Sequence, residues 1–324
     1  MSIPVITPFF FKEFVDVKSR VGGRGNTSIV ISPYSIDYVV LLNDPAVVKR
    51  LMGITDPIAF NRVIIDDPER EPEFRKNAEE LVARFPVMEH FWSIRTLIMG
   101  VLQNAEWSLD RRLLILNYTL KTIQGMVDQY QQDLIPGFCE KTISMPDFMG
   151  ILKFFEGITV NPAYSLTDGI NFLKRLEKTS EWKHMMGRVY SGLGISGPET
   201  MNLMDFPKYI DKRAKFAENY LEQRGNIFTN ILVNYVWTMA MPFAVPEMGI
   251  WENFVFFNAL FNALKILITT TQPKDDDDFA EIIACFDRTF YLSNKDNRYA
   301  TRYMQSAKMS SLSGNGDMAM LTIS

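Results

Sequence analysis

The sequence predicts a mainly α-helical protein: a helical bundle-like domain preceded by a short, partly extended amino-terminal segment. Three observations carry this reading. Apolar residues recur at helical spacing through most of the chain from Pro86 onward. Hydrophobic residues make up 47% and aromatics 13% of the 324 residues, which suits a sizeable core and excludes global disorder. A short β-branched run, Thr27 to Ile31, reads as a strand and lies near the front. The expected divisions are an amino-terminal segment over 1–65, a helical domain over 66–308 and a disordered Ser-, Gly- and Met-containing tail over 309–324.

Taken in order, Phe9, Phe10, Phe11 and Phe14 form a brief apolar cluster, and Val21-Gly22-Gly23-Arg24-Gly25-Asn26 reads as a flexible loop. After Ser32-Pro33, Tyr34 to Leu42 reads as the start of the helical pattern. Asp44-Pro45 has the form of an N-cap followed by a first-turn proline and opens a helix through Met52. The charged stretch Asp66 to Pro72 reads as a surface loop. Pro86 to Asn104 sets Phe91, Ile94, Leu97, Ile98, Val101 and Leu102 on one helix face. Ser108 to Gln132 does the same with Leu109, Leu113, Leu116, Leu120 and Ile123, and Pro136-Gly137 is expected to end that helix.

Ser144 to Tyr190 divides into three shorter helices, broken at Asn161-Pro162 and at Thr179-Ser180. Gly192 to Pro198 is a second glycine-rich loop. Phe206 to Met241, Glu247 to Thr271 and Asp275 to Ser293 read as three helices joined by short loops. The last sets Phe279, Ile282, Ile283, Phe286 and Phe290 on one face. Its run Asp275 to Asp278 lies where carboxylates favour the positive end of the helix dipole. A solvated cap is preferred there over a metal site, because consecutive carboxylates at a helix start fan outward.

Composition excludes several functions. A formal charge of -4 leaves no basic excess to neutralise phosphates, so a nucleic-acid partner is not expected. Two distant cysteines, Cys139 and Cys285, and two histidines, His90 and His184, argue against a zinc site, a disulfide framework or a His-based triad. The most apolar stretch, Ile250 to Thr271, carries Glu252, Asn253, Asn258, Asn262 and Lys265, which are costly in lipid. It reads as a buried core helix, without membrane insertion. Pro4 and Pro8 interrupt the first apolar run and no basic region precedes it, so no secretory leader is expected and the expected address is cytoplasmic.

Candidate chemistry is sparse. Gly192-Leu193-Gly194-Ile195-Ser196-Gly197 matches a dinucleotide-binding pattern, but neither a central strand before it nor a βαβ unit after it is predicted, so an interhelical loop is preferred. Asn226, Asn230 and Asn234 lie along one helix face inside an apolar run, and Asn258 and Asn262 repeat the spacing on the next helix. Such amides either knit helices together or line a polar cleft. Arg95 and Arg288 interrupt apolar patterns; each either pairs with a carboxylate, caps carbonyls or holds an anionic group. Tyr235, Trp237 and Trp251 offer faces that could take a cation, although aromatics at helical spacing are more often core. The site reading that follows groups Asn230, Asn234 and Arg288, with Tyr235 or Trp251 as an aromatic wall. Glu252 and Tyr235 are weak candidates for a base.

Three stretches carry a resemblance to a known family. They are Ile94-Arg95-Thr96-Leu97-Ile98 through Leu113-Leu114, Asn226 to Phe243 with Asn230-Ile231-Leu232-Val233-Asn234-Tyr235, and Asp278-Phe279 through Phe286-Asp287-Arg288. In order and spacing they resemble the carboxy-terminal part of the flagellin lysine-N-methylases. The resemblance implies methyl transfer from S-adenosylmethionine to lysine side chains of flagellin, or of another lysine-bearing protein, in a bacterial cytoplasm before export. The alternative is a non-catalytic helical protein-binding relative. That family's front is cysteine-rich. Here Val15 stands where a cysteine would come, and Ile31-Ser32-Pro33 has serine in another such place, so an iron–sulfur cluster is not expected.

Overall fold

A computed structural model describes residues 27–31, 36–40, 42–53, 62–63, 79–80, 82–144, 148–153, 155–156, 162–176, 179–197, 206–216, 218, 223–239, 241–245, 247–294 and 298–309. Among them are three strands, β1 (Thr27–Ile31), β2 (Ile36–Val40) and β3 (Arg62–Val63), with α1 (Pro45–Met52) between the second and third. Then come α2 (Phe91–Leu102), α3 (Leu109–Asp128), α4 (Ile135–Ser144), α5 (Met149–Lys153), α6 (Pro162–Lys174) and α7 (Ser180–Leu193). The chain closes with α8 (Phe206–Phe216), α9 (Gln223–Thr238), α10 (Ile250–Thr271), α11 (Asp276–Ser293) and α12 (Arg298–Met309). The fold is mainly α, as the periodicity predicts. The Phe9–Phe14 cluster, the first glycine loop, the Asp66–Pro72 stretch and the tail beyond Met309 lie outside the described residues.

The sheet is small. β1 pairs antiparallel with β2 from Thr27↔Val40 to Ile31↔Ile36, and β3 adds to the other edge of β2. Tyr34 to Leu42 is therefore not the start of a helix. Ile36-Asp37-Tyr38-Val39-Val40 is rich in β-branched residues and too short to show a helical period. α1 is as predicted: Asp44 accepts from the Ala46 N–H at 2.9 Å, and Pro45 occupies the first turn.

Helix α10 is the axis of the fold. A helix that is hydrophobic all round must be covered all round, and α10 packs against α3, α6, α7, α8, α11 and α12. It is long and apolar enough to cross a membrane, but 94% of its apolar window is buried inside the protein. Two of its asparagines fasten neighbouring segments to it. Asn253 bonds both the N–H and the carbonyl of Val245, at 2.9 and 3.1 Å, which fastens the preceding loop to the helix. Asn262 exchanges two hydrogen bonds with Ser165 of α6, at 2.8 and 3.1 Å. That contact faces α6, not the asparagine row of α9.

The predicted apolar face of α11 is buried: Phe279, Ile283 and Phe286 are fully covered, and Phe286 packs between Trp182 of α7 and Phe290. Asp275 caps α11 by accepting from the Asp278 N–H at 2.9 Å. Two more members of the acidic run are paired: Asp277 with Lys49 of α1, and Asp278 with both guanidinium nitrogens of Arg188 at 2.7 Å. α12 docks on α6 through Tyr299 and Tyr303, whose hydroxyls donate to the Phe172 carbonyl and to Asp168 at 2.6 and 2.8 Å.

Three boundaries differ from expectation. Pro136-Gly137 does not end a helix; it lies in the first turn of α4, where a missing N–H costs nothing. The helix expected over Phe206 to Met241 is represented by α8 and α9, most of the stretch between them lying outside the described residues, and α9 ends at Thr238, short of Met241. The segment after Ser293 adds α12, for which the sequence carries no complete local signal.

Candidate functional site

Helix α9 is held at its end by a buried cation. Arg95, 1% exposed, donates from Nη2 to the carbonyls of Val236 and Trp237 at 2.9 and 3.3 Å, and its guanidinium lies 4.0 Å from the Trp237 ring centroid. A cation on the last carbonyls of a helix satisfies groups that have no intrahelical partner and complements the dipole. Of the roles open to Arg95, the structure gives it carbonyl capping. A second buried arginine, Arg112 of α3, donates to the Leu102 carbonyl at 2.9 Å and to Thr229 Oγ1 of α9 at 3.1 Å.

The asparagine row on α9 points inward. Asn230 and Asn234 are 0% and 2% exposed, and neither is without a partner. They are sealed among helices and do not line an open cleft. Directly after Asn234, the Tyr235 hydroxyl donates to Asp287 Oδ1 of α11 at 3.1 Å, with the Phe290 ring edge-on at 6.4 Å between centroids. Burial pushes the Asp287 carboxyl up to about 6, against a smaller lowering by the Tyr235 hydrogen bond and Arg288. The Tyr235 phenol is raised well above its ordinary range, by burial first and then by Asp287. It therefore serves as a hydrogen-bond donor. Asp287 was not singled out from sequence; the signal was an acid beside Arg288 in an otherwise apolar helix.

Arg288 turns away from this pair. Its guanidinium donates to the Asn43 carbonyl at 2.8 Å, to Glu281 at 2.7 Å and to Glu181 of α7. The expected grouping of Asn230, Asn234 and Arg288 is therefore not what this guanidinium serves; it ties α11 to α7 and to the turn before α1. Trp251 and Glu252 sit elsewhere, at the start of α10. Trp251 donates from Nε1 to Asn117 of α3 at 2.9 Å, and Lys121 Nζ lies 4.7 Å from its ring centroid. Glu252 accepts from the Gly249 N–H at 3.2 Å and closes the helix start. Trp251 thus meets α3.

A cleft of about 660 Å³ opens where α7 and α10 end, beside α8. Its lining carries Lys183, His184 and Arg188 of α7, Lys212 of α8, and Lys274. The glycine pattern explains its wall. Gly194, at φ 76°, ends α7 in the left-handed conformation, and the Ile195 N–H reaches back to the Tyr190 carbonyl at 3.0 Å. A Cβ on Gly192 would lie 2.0 Å from the Thr270 carbonyl oxygen, so the glycine lets α7 touch the end of α10. The pattern is a helix cap and a close contact, with no strand before it.

Cys139 and Cys285 are buried, and burial pushes both thiols up to about 12, which leaves them unreactive. Among the described residues no three His, Cys, Asp or Glu side chains converge as a metal ion would require.

Comparison with known proteins adds one finding to this geometry. No curated protein and no solved structure matches the chain. The family described as FliB lysine N-methylase C-terminal domain matches residues 95–315, which takes in Arg95, the α9 asparagines, the Tyr235–Asp287 pair and the cleft. Since that match spans well over half of the 324 residues, the chain belongs to the FliB lysine N-methylase C-terminal domain family.

Proposed function

We propose that the protein takes part in methylating lysine side chains of flagellin, in the cytoplasm, with S-adenosylmethionine as methyl donor. The observation that carries this reading is the family match over residues 95–315. A lysine amine is protonated near neutral pH and is nucleophilic only without that proton, so its site must desolvate it or offer a base. Asp287 is the described carboxylate whose environment comes nearest to that need, with a carboxyl raised to about 6 and held by Tyr235.

The cleft and the candidate residues described above do not themselves fit the donor. Its sulfonium is a cation and calls for a carboxylate or an aromatic face. The cleft at α7 and α10 is lined by cationic and neutral side chains, with no phenylalanine, tyrosine or tryptophan face and no carboxylate. Asn230 and Asn234 are sealed, and the Trp251 face carries Lys121. No step through the donor follows from these residues. The same placements favour a second reading, a non-catalytic helical relative that holds flagellin or another lysine-bearing protein. Titration calorimetry of the full chain with S-adenosylmethionine separates the two. Saturable heat supports the methylase reading; none at millimolar donor sinks it and leaves the binding relative.

A further inference from the structure

The cleft at the ends of α7 and α10 has no part in the reading above, and its charge is unlike that of the chain as a whole. We propose that it is a binding site for a small ligand bearing a phosphate group. The protein carries a net charge of -4, yet Lys183, His184, Arg188, Lys212 and Lys274 converge on this one concavity and no carboxylate lines it. The carboxylate nearest in bonding is Asp278, whose oxygens are taken by the Arg188 fork and by the Lys274 backbone N–H at 3.0 Å.

Helix ends attract lysines to their carbonyls, and this alone could gather cations here. It accounts for Lys212, which donates to Gln272 Oε1 at 3.2 Å just past the end of α10. It does not account for Lys183, or for His184 beside it. Both lie in the first half of α7, nearer the end where the dipole disfavours the Lys183 charge. Among the described residues their side chains have no ion-pair or hydrogen-bond partner. Burial, and then the charge of Lys215, lower the Lys212 ammonium below its ordinary value. An anion in the cleft would reverse the second effect and offset the first.

The donor set favours phosphate over carboxylate. A carboxylate is best matched by an arginine fork, and the Arg188 fork is already occupied by Asp278. What remains are lysine ammonium groups, which act as point charges and are common phosphate ligands. The volume, about 660 Å³, falls in the range of roughly 300–1,000 Å³ typical of small-molecule sites, so it admits a phosphate ester as well as free phosphate.

The test needs neither flagellin nor a methyl donor, so its failure is distinct from failure of the methylase reading. Calorimetry on the full chain, at constant ionic strength, would compare inorganic phosphate, pyrophosphate and adenosine triphosphate with sodium chloride. The expected result is saturable binding of at least one phosphate compound and none of chloride. Tighter binding of adenosine triphosphate identifies an esterified ligand, and equal binding identifies the free anion. K212Q should weaken binding by roughly tenfold, the loss of one charge-assisted contact. Should K212Q fail to fold, K183Q, at an exposed position, carries the same expectation. Absence of saturable heat from all three compounds overturns the proposal, and so does unchanged affinity in folded K183Q and K212Q.

Discussion

Replacing Asp287 by asparagine should stabilise the protein at neutral pH and lose that advantage in mild acid. Asparagine keeps an oxygen for the Tyr235 hydroxyl, which donates at 3.1 Å in the native chain, but removes the buried charge. The Asp287 carboxyl moves from 3.8 to about 6 on folding, chiefly through burial. Between those values the native state holds a proton that the unfolded state has released, so stability contributed by this group falls as pH rises. A shift of about two units corresponds to about 3 kcal/mol, at roughly 1.4 kcal/mol per unit. Asp287 is only half-buried as a residue, and solvent screening reduces the expected effect to roughly 1–2 kcal/mol. Urea denaturation of both proteins at several pH values between about 4 and 7 would measure it. The expected result is an unfolding free-energy difference, D287N minus native, that grows with pH across that window. A flat difference, or one that shrinks, would refute the assignment of a buried, raised carboxyl.

Three further outcomes follow from the packing. Phe286→Ala removes a fully covered ring between Trp182 and Phe290 and should cost roughly 3–5 kcal/mol in denaturant unfolding; a cost under about 1 kcal/mol would mean that the face is not core. Gly192→Ala places a Cβ 2.0 Å from the Thr270 carbonyl oxygen, a backbone atom that cannot rotate away, so it should destabilise by about 1–3 kcal/mol; an unchanged melting temperature contradicts the close contact. Asn253→Ala unfastens Val245 from α10 and should cost about 1–3 kcal/mol while its amide loses hydrogen-exchange protection, and retained protection would show another acceptor there.

The helices were legible where a local signal was complete. Asp44-Pro45 and Asp275 each supply a cap within three residues of the helix they start, and Phe91 to Leu102 repeats its apolar face over three turns. Reading failed where the same residue has two meanings. Pro136 can stop one helix or open the next, and only the following turns of α4 decide. Ile36 to Val40 is too short for a period to discriminate strand from helix. α12 is polar enough that its docking depends on tyrosines meeting α6 more than a hundred residues away, a tertiary fact.

The site was less legible for the same reason. That Asn230 and Asn234 would need partners was readable from their place in an apolar run, but not that the row would be sealed. Tyr235 and Asp287 lie 52 positions apart, and nothing local to either names the other. The cationic cleft gathers Lys183, Lys212 and Lys274 from three separate stretches, each unremarkable alone. Arg288 stands out in the sequence as an arginine in an apolar helix, yet its direction toward Glu181, Glu281 and Asn43 depends on how α11 lies on α7 and α1.

The proposed lysine methylation is tested most directly on its product. Flagellin incubated with the full chain and S-adenosylmethionine would be digested and its lysines weighed by mass spectrometry. The expected result is added methyl groups on flagellin lysines, appearing only when protein and donor are both present. Unmodified lysines after incubation with a folded, monodisperse preparation would contradict it.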